Sequence, residues 1–244
     1  MTIESPHNAK LKEIRRLARR RGREQAGRFV AEGEDLLAAA DAAGWPAIER
    51  YVAAGSGLRG LEVEPALLAR VSGLGSGTRA LAVYEQRWGA PCGPLAVYLH
   101  GVADPGNIGT IVRSAQAFGA ACVIFGPGCA DPFGPKAVRA SMGALFGVTL
   151  ARAGHDELPG RQIALAAHRG EPLRGPLSGG EATILVGGER SGLPDEVLAQ
   201  ADEVAHIPIA AESLNAAMAA TVALYELTRA SPPPRNQPSR VTEA

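Results

Sequence analysis

Cysteine is scarce: the 244 residues hold three, Cys92, Cys122 and Cys129. The number is odd and no two stand in a C-x-x-C spacing. That argues against a disulfide framework and against a zinc site, and it suits a reducing compartment, the cytoplasm. The three are read as small apolar residues rather than nucleophiles. No run approaches the roughly 18 apolar residues of a membrane span. The N-terminus is charged and does not lead into an apolar segment, so neither a membrane anchor nor a secretory signal is expected. An excess of one charge is also missing: 25 basic residues balance 25 acidic ones, so no global field advertises a polyanionic partner.

The distribution of charge says more than its sum. Residues 1–30 carry Lys10, Lys12, Arg15, Arg16, Arg19, Arg20, Arg21, Arg23 and Arg28 against Glu4, Glu13 and Glu24, an excess of six positive charges. Such a cluster fits phosphate binding and equally fits the wet face of a helix. Apolar Leu11, Ile14 and Leu17 recur there at helical spacing, leaving the basic residues on the other faces.

Along the chain, residues 5–44 read as two helices, a short strand "FVAEG" and a third helix "EDLLAAADAAG" closed by Gly44. "IERYVAAG" and "TRALAVYE" are further strands around the helix "EPALLARVSG", and "WGAPCGP" is a turn-rich linker. The first unit is therefore expected over residues 1–88. A second, over 95–230, alternates the strands "LAVYLHGV", "ACVIFG", "VTLA", "QIALAAH", "ATILVGGE" and "EVAHIPI" with four helices: "IGTIVRSAQAFG", "PKAVRASMGALFG", "LPDEVLAQA" and "SLNAAMAATVALYELTRA". Continuous apolar strands alternating with helices predict a parallel sheet covered on both faces. The Pro-rich tail, 231–244, is expected to be disordered.

"GSGLRG", residues 55–60, fits G-x-G-x-x-G but is followed by "LEVEP" rather than by a helix, so it lacks the helix N-terminus that holds a pyrophosphate. Three other segments each follow a strand of the second unit, where ligands of parallel sheets gather. "DPGNIGTIVRSAQAFGA" offers Asn107 and Arg113. "LVGGERSGLP" offers Gly187, Gly188 and Glu189. "IPIAAESLNAAMAA" offers Ile207, Ser213, Leu214 and Asn215. Taken singly they are ordinary: Asn107 a helix cap, Arg113 an exposed arginine away from the apolar face, Ser213 an N-cap with Asn215 in the first turn. His100 and His206 lie at strand positions with no carboxylate placed beside them, and are read as structural.

Taken together and in order, the three segments closely resemble the motifs of the SpoU/TrmH family of RNA ribose 2′-O-methyltransferases, within the knotted SPOUT superfamily. "PKAVRASMGALF" resembles the segment that follows the first motif, and the basic opening is similar to the small RNA-binding domain of the ribosomal-RNA branch. The second motif departs from the pattern, with Gly188 before the Glu and Arg190 and Ser191 after it.

The resemblance implies a small α/β RNA-binding domain followed by a parallel-sheet catalytic domain with a C-terminal trefoil knot. It implies S-adenosylmethionine as cofactor, held by backbone groups around Gly187, Gly188, Ile207 and Leu214, and a homodimer paired at the site. Asn107, Arg113, Glu189, Ser213 and Asn215 would form the polar active site, with Arg113 central: in the family it is sometimes the base itself, and the always-charged guanidinium favours instead a grip on a phosphate and the developing 2′-oxyanion. No metal is implied. The expected substrate is RNA, 23S ribosomal RNA first. The alternatives are a transfer-RNA 2′-O-methyltransferase, a non-catalytic RNA- or ribosome-binding protein on the same fold, and a nucleotide-dependent α/β enzyme.

Overall fold

The computed structural model describes residues 2–73, 77–177 and 179–229; the tail expected to be disordered lies outside them. Asn8 opens α1 (Ala9–Leu17) by accepting the Lys10 N–H at 2.9 Å, and Leu11, Ile14 and Leu17 form the buried stripe. After it come α2 (Arg20–Ala26), β1 (Arg28–Glu32), α3 (Glu34–Ala42), β2 (Glu49–Ala53), β3 (Leu61–Val63), α4 (Pro65–Val71) and β4 (Ala80–Glu85). The four strands make a sheet in the order β1-β4-β2-β3, antiparallel except for β2–β3. Alternate residues of these strands feed two cores. Val30, Tyr51, Leu81 and Val83 pack with α1 and α4 on one face. Phe29, Ala31, Ala82 and Tyr84 point to the other.

The loop at 55–60 runs into β3, a strand too short for its pattern to show in the sequence, and no helix begins there. That physically removes the dinucleotide option.

The second sheet is built from β5 (Leu95–His100), β6 (Cys122–Phe125), β7 (Thr149–Arg152), β8 (Arg161–Leu165), β9 (Glu171–Pro172), β10 (Ala182–Gly187) and β11 (Glu203–His206). Its order is β7-β6-β5-β10-β8-β11-β9 and every pair is parallel. The helices are α5 (Pro105–Ala117), α6 (Pro135–Ala140), α7 (Asp195–Gln200) and α8 (Ala216–Thr228). "PKAVRASMGALF" is not one helix. α6 stops at Ala140, Met142 and Gly143 take φ of 49° and 89°, and a 3-10 turn, Ala144–Phe146, follows. Close packing of the small unit leaves room only for glycine at this break: a Cβ on Gly143 would lie 2.5 Å from the Cβ of Ala39 in α3.

The two sheets share one hydrophobic core. Phe29 and Tyr84 of the first pack with Phe133 and Phe146 of the second, at centroid separations of 4.9 Å for Phe29–Phe133 and 5.3 Å for Tyr84–Phe146. Burying one such ring stabilises by about 1.5–3 kcal/mol, so this contact fixes the orientation of the two sheets. The "WGAPCGP" segment takes part. Trp88 sits edge-on to Phe125 and Phe133, and Gly89 bridges to Ala151 of β7.

Candidate active site

β5 and β10 are central neighbours, and their carboxyl ends lie side by side, with Gly187 in register with His100. The chain leaves β5 through Gly101 and enters α5 at Pro105. The cap of α5 is Asp104, not Asn107. Asp104 Oδ1 accepts the Asn107 N–H at 3.0 Å, and Oδ2 accepts Lys136 Nζ at 2.7 Å. These bonds, the lysine first, hold the Asp104 carboxyl below its ordinary pKa. Released from capping, the Asn107 side chain turns towards the other strands. Its amide nitrogen donates to Glu189 Oε1, and its Oδ1 accepts Asn215 Nδ2 at 3.2 Å.

The cap of α8 is likewise displaced from the expected residue. Asn215 caps it, not Ser213, with Oδ1 accepting the N–H of Ala217 at 2.9 Å and of Met218 at 3.4 Å. The orientation of every amide in the chain Glu189–Asn107–Asn215–α8 follows from chemistry. An ionised carboxylate only accepts, so Asn107 faces it with NH2 and presents its oxygen to Asn215. Asn215 then has only its oxygen left for the helix N–H groups. Farther along, Ser114 Oγ meets Thr221 Oγ1 at 2.6 Å. Thr221 gives its proton to the Ala217 carbonyl at 2.7 Å, so Ser114 is the donor. α5 and α8 are thus joined at two levels.

Beside this chain lies a cleft of about 290 Å³, near the ~300 Å³ lower end of small-molecule sites. Gly187, Gly188, Glu189, Ile207, Ser213 and Leu214, all singled out from the sequence, line it. Leu165, Ala166 and Ala167 also line it and were missed. They sit at the carboxyl end of β8, and the rule that ligands gather at strand ends would have found them. The floor is apolar, and the walls are largely backbone brought close by glycine. A Cβ on Gly187 would lie 2.1 Å from the Gly192 carbonyl carbon, and one on Gly188 2.4 Å from the Gly101 oxygen.

Arg113 stands apart. It is exposed on α5, about 9 Å along the axis from Asn107 at 1.5 Å per residue. It does not line the cleft and makes no hydrogen bond or ion pair among the described residues. His100 shares its Nδ1 with the Tyr98 hydroxyl at 3.3 Å, and His206 Nδ1 meets the Gly170 carbonyl at 3.1 Å. Burial, and then nearby His155, push the His100 pKa down, and burial raises that of Tyr98 to about 12. Among the described residues no group of three His, Cys, Asp or Glu side chains is arranged to hold a metal. No described helix is long and apolar enough to cross a membrane.

A ligand with a polar reacting end and a larger apolar or aromatic body would fit this arrangement. The cleft takes the body against backbone groups, and the Asn107–Glu189–Asn215 chain presents fixed polar atoms at the rim. Comparison with known proteins agrees. Residues 94–225 match the SpoU rRNA Methylase family, and residues 8–82 match the MRM3-like substrate binding domain. The chain is 27% identical to the 23S rRNA (guanosine(2553)-2'-O)-methyltransferase RlmP of Bacillus subtilis, covering 92% of this chain and 98% of that protein. Its fold superposes on an AdoMet-bound rRNA methyltransferase from Sinorhizobium meliloti with a TM-score of 0.85 at 30% identity, over 95% of this chain and 98% of the other. It superposes on the SpoU methyltransferase AviRb of Streptomyces viridochromogenes, in complex with AdoMet, with a TM-score of 0.80 at 27% identity, over 92% and 98%. With a family match over more than half its length, carried by the same segments that build the cleft, the chain belongs to the SpoU rRNA methylase family.

Proposed function

We propose that the protein transfers a methyl group from S-adenosylmethionine to a ribose 2′-hydroxyl of ribosomal RNA, the 23S molecule first. The observation that carries this is the hydrogen-bonded chain Glu189–Asn107–Asn215 on the rim of a glycine-walled cleft. The residues fit the cofactor. Ile207 and Leu214 offer apolar surface to an adenine and a methionine chain, and Gly187 and Gly188 bring backbone to the cleft wall for the polar edges. When bound, the cofactor supplies a methyl group on a sulfonium, already activated for attack.

The chain's own residues then have two tasks, alignment and management of the hydroxyl proton. Asn107, locked between Glu189 and Asn215, orients the ribose. Ser213, on the cleft wall, hydrogen-bonds the nucleotide. Arg113 stays protonated, grips the neighbouring phosphate and stabilises the 2′-oxyanion as it forms. Its lack of a protein partner supports a role towards a polyanion.

Three further features belong to this reading. Residues 1–88 serve as the RNA-binding domain and 95–230 as the catalytic domain. The chain forms a homodimer through α8. Met218, Val222 and Tyr225, exposed by 57%, 39% and 56%, line one stripe of that helix, and Tyr225 meets Phe118 of α5 edge-on. That exposed apolar stripe beside the site supports a second copy as its cover. The C-terminal segment is knotted. The closeness of α8 to the segment after β9, with Leu177 N–H on the Leu227 carbonyl at 3.0 Å and Gly175 N–H on Glu226 Oε1 at 3.0 Å, supports threading. The enzyme acts in the cytoplasm, where ribosomal RNA and reduced thiols coexist.

The test is transfer of labelled methyl from S-adenosylmethionine to unmodified 23S ribosomal RNA and to transfer RNA in parallel, with Arg113→Ala as control. Alkali-stable label in the ribosomal RNA, lost in the variant, is the expected result. Label in neither RNA would overturn the proposal.

A further inference from the structure

We propose that the seam at the outer edge of the large sheet, where two tryptophans each lie beneath an arginine, is an accessory site for single-stranded RNA flanking the methylated nucleotide. This rests on the RNA-modifying function proposed above. The Arg87 guanidinium carbon lies 4.5 Å from the centre of the Trp45 ring, and that of Arg152 lies 4.0 Å from the centre of Trp88. Both arginines are exposed, both indoles half-buried. Neither guanidinium has a hydrogen bond or ion pair among the described residues. Glu24, the carboxylate that feels Arg152, is already hydrogen-bonded to Arg20 at 2.8 Å.

Two adjoining grooves of about 350 Å³ and 210 Å³ share Trp45 and Arg87. Among the described residues, Glu85 is the one acidic side chain lining them. A guanidinium held over an indole keeps N–H groups free to fork onto phosphate, and the aromatic and guanidinium surfaces together offer an unstacked base something to lie against. Ribose phosphates supply the negative charge that this pair of unpaired cations lacks.

The location fits a flanking site. β7 lies two strands from β5. At about 4.8 Å per strand, Arg152 at the carboxyl end of β7 stands about 10 Å across the sheet from the end of β5 that leads to Asn107. Arg20 of α2 lies at the same corner, where it and Arg152 both act on Glu24, and exposed Arg19 and Arg21 flank it in the chain. RNA entering the active site from this side meets Arg152 and Trp88 before Asn107.

The chain contains only two tryptophans, so its intrinsic emission reports on this seam. Tryptophan emission of the full chain would be recorded while unmodified 23S ribosomal RNA transcript is added, corrected for absorbance with free N-acetyltryptophanamide. Arg87→Ala, Arg152→Ala and the double variant would be compared for RNA affinity, its salt dependence and cofactor affinity. The expected results are quenched or shifted emission on RNA binding, RNA affinity weakened about tenfold in the double variant, and a log–log salt slope smaller by about 1.4, ~0.7 for each lost phosphate contact to a single strand. Cofactor affinity is expected to stay unchanged. RNA that binds and is methylated without altering emission, with unchanged affinity in the double variant, overturns the inference and leaves the methyltransferase reading standing. RNA that neither binds nor is methylated overturns that reading and this inference with it.

Discussion

The Arg23 guanidinium and the Asp131 carboxylate meet at 2.6 Å across the seam between the two sheets, their side chains 5% and 9% exposed. Nε and Nη2 both reach Oδ2. Nη1 donates to the carbonyls of Leu17 and Ala18, at 2.9 and 3.0 Å, closing the C-terminal end of α1. Oδ1 accepts the Phe133 N–H at 2.9 Å. Removing one partner strands a buried charge, which costs about 3–5 kcal/mol, whereas replacing both by apolar groups is often near neutral. Asp131→Asn is therefore expected to lower stability by that amount, and Arg23→Met with Asp131→Leu to regain most of it. Urea denaturation of the parent and the two variants checks this. Equal losses in the single and double variants would contradict it.

Arg113 lies outside the cleft, so its loss is expected to leave cofactor affinity unchanged while kcat falls by about 10²–10³, the usual cost of one oxyanion donor. Arg113→Lys is expected to recover little, because an ammonium lacks the planar fork. Calorimetric cofactor binding and single-turnover methyl transfer separate the two effects. Near-full activity in the lysine variant would exclude bidentate contact.

Gly188→Ala would drive a Cβ to within 2.4 Å of the Gly101 oxygen, a backbone atom that cannot rotate away. The loops after β5 and β10 must then part. Loss of cofactor affinity by at least tenfold is expected, with a lower melting temperature. Titration of S-adenosylmethionine against the variant reads the first effect, and a thermal scan the second.

Val222→Asp places a charge in the middle of the apolar stripe of α8, two turns from the nearest catalytic candidate. Sedimentation is expected to show dimer for the parent and monomer for the variant at the same concentration. A parent that sediments as a monomer removes the dimer from the proposal.

Burial, and then His155, lower the His100 pKa in the fold, with Glu196 opposing. In the unfolded chain it protonates near pH 6.5. Between the two values the unfolded state binds more protons, so stability rises with pH across that window and is lost as pH falls below about 6.5. His100→Gln, which keeps an acceptor for the Tyr98 hydroxyl, is expected to flatten the denaturation midpoint between pH 5 and 7. An unchanged slope would assign the acid sensitivity to other groups.

Much of the architecture was legible in the residues because its signals are local. The apolar run "LAVYLH" needs no distant partner to read as a buried strand, nor does the spacing of Leu11, Ile14 and Leu17 to read as a helix face. The errors have a common origin in contacts from elsewhere. Asn107 and Ser213 have good capping chemistry, yet Asp104 and Asn215 cap instead, because Asn107 is drawn to Glu189, 82 residues away. "PKAVRASMGALF" has helical spacing, but the chain turns at Met142 and Gly143, where α3 of the other unit packs too close for a Cβ. Arg23 looked like one more basic residue of a wet face, and Asp131 made it an internal tie.

The sequence by itself determined the alternation of strands and helices, the parallel sheet and the three loops at its carboxyl ends, since periodicity and turn chemistry act over a few residues. Only the tertiary structure decided which side chains of those loops touch, that the two sheets share a core, and that Trp88 of the linker packs into it. Each of those depends on segments far apart in the chain reaching van der Waals or hydrogen-bond distance, and no local pattern encodes that distance.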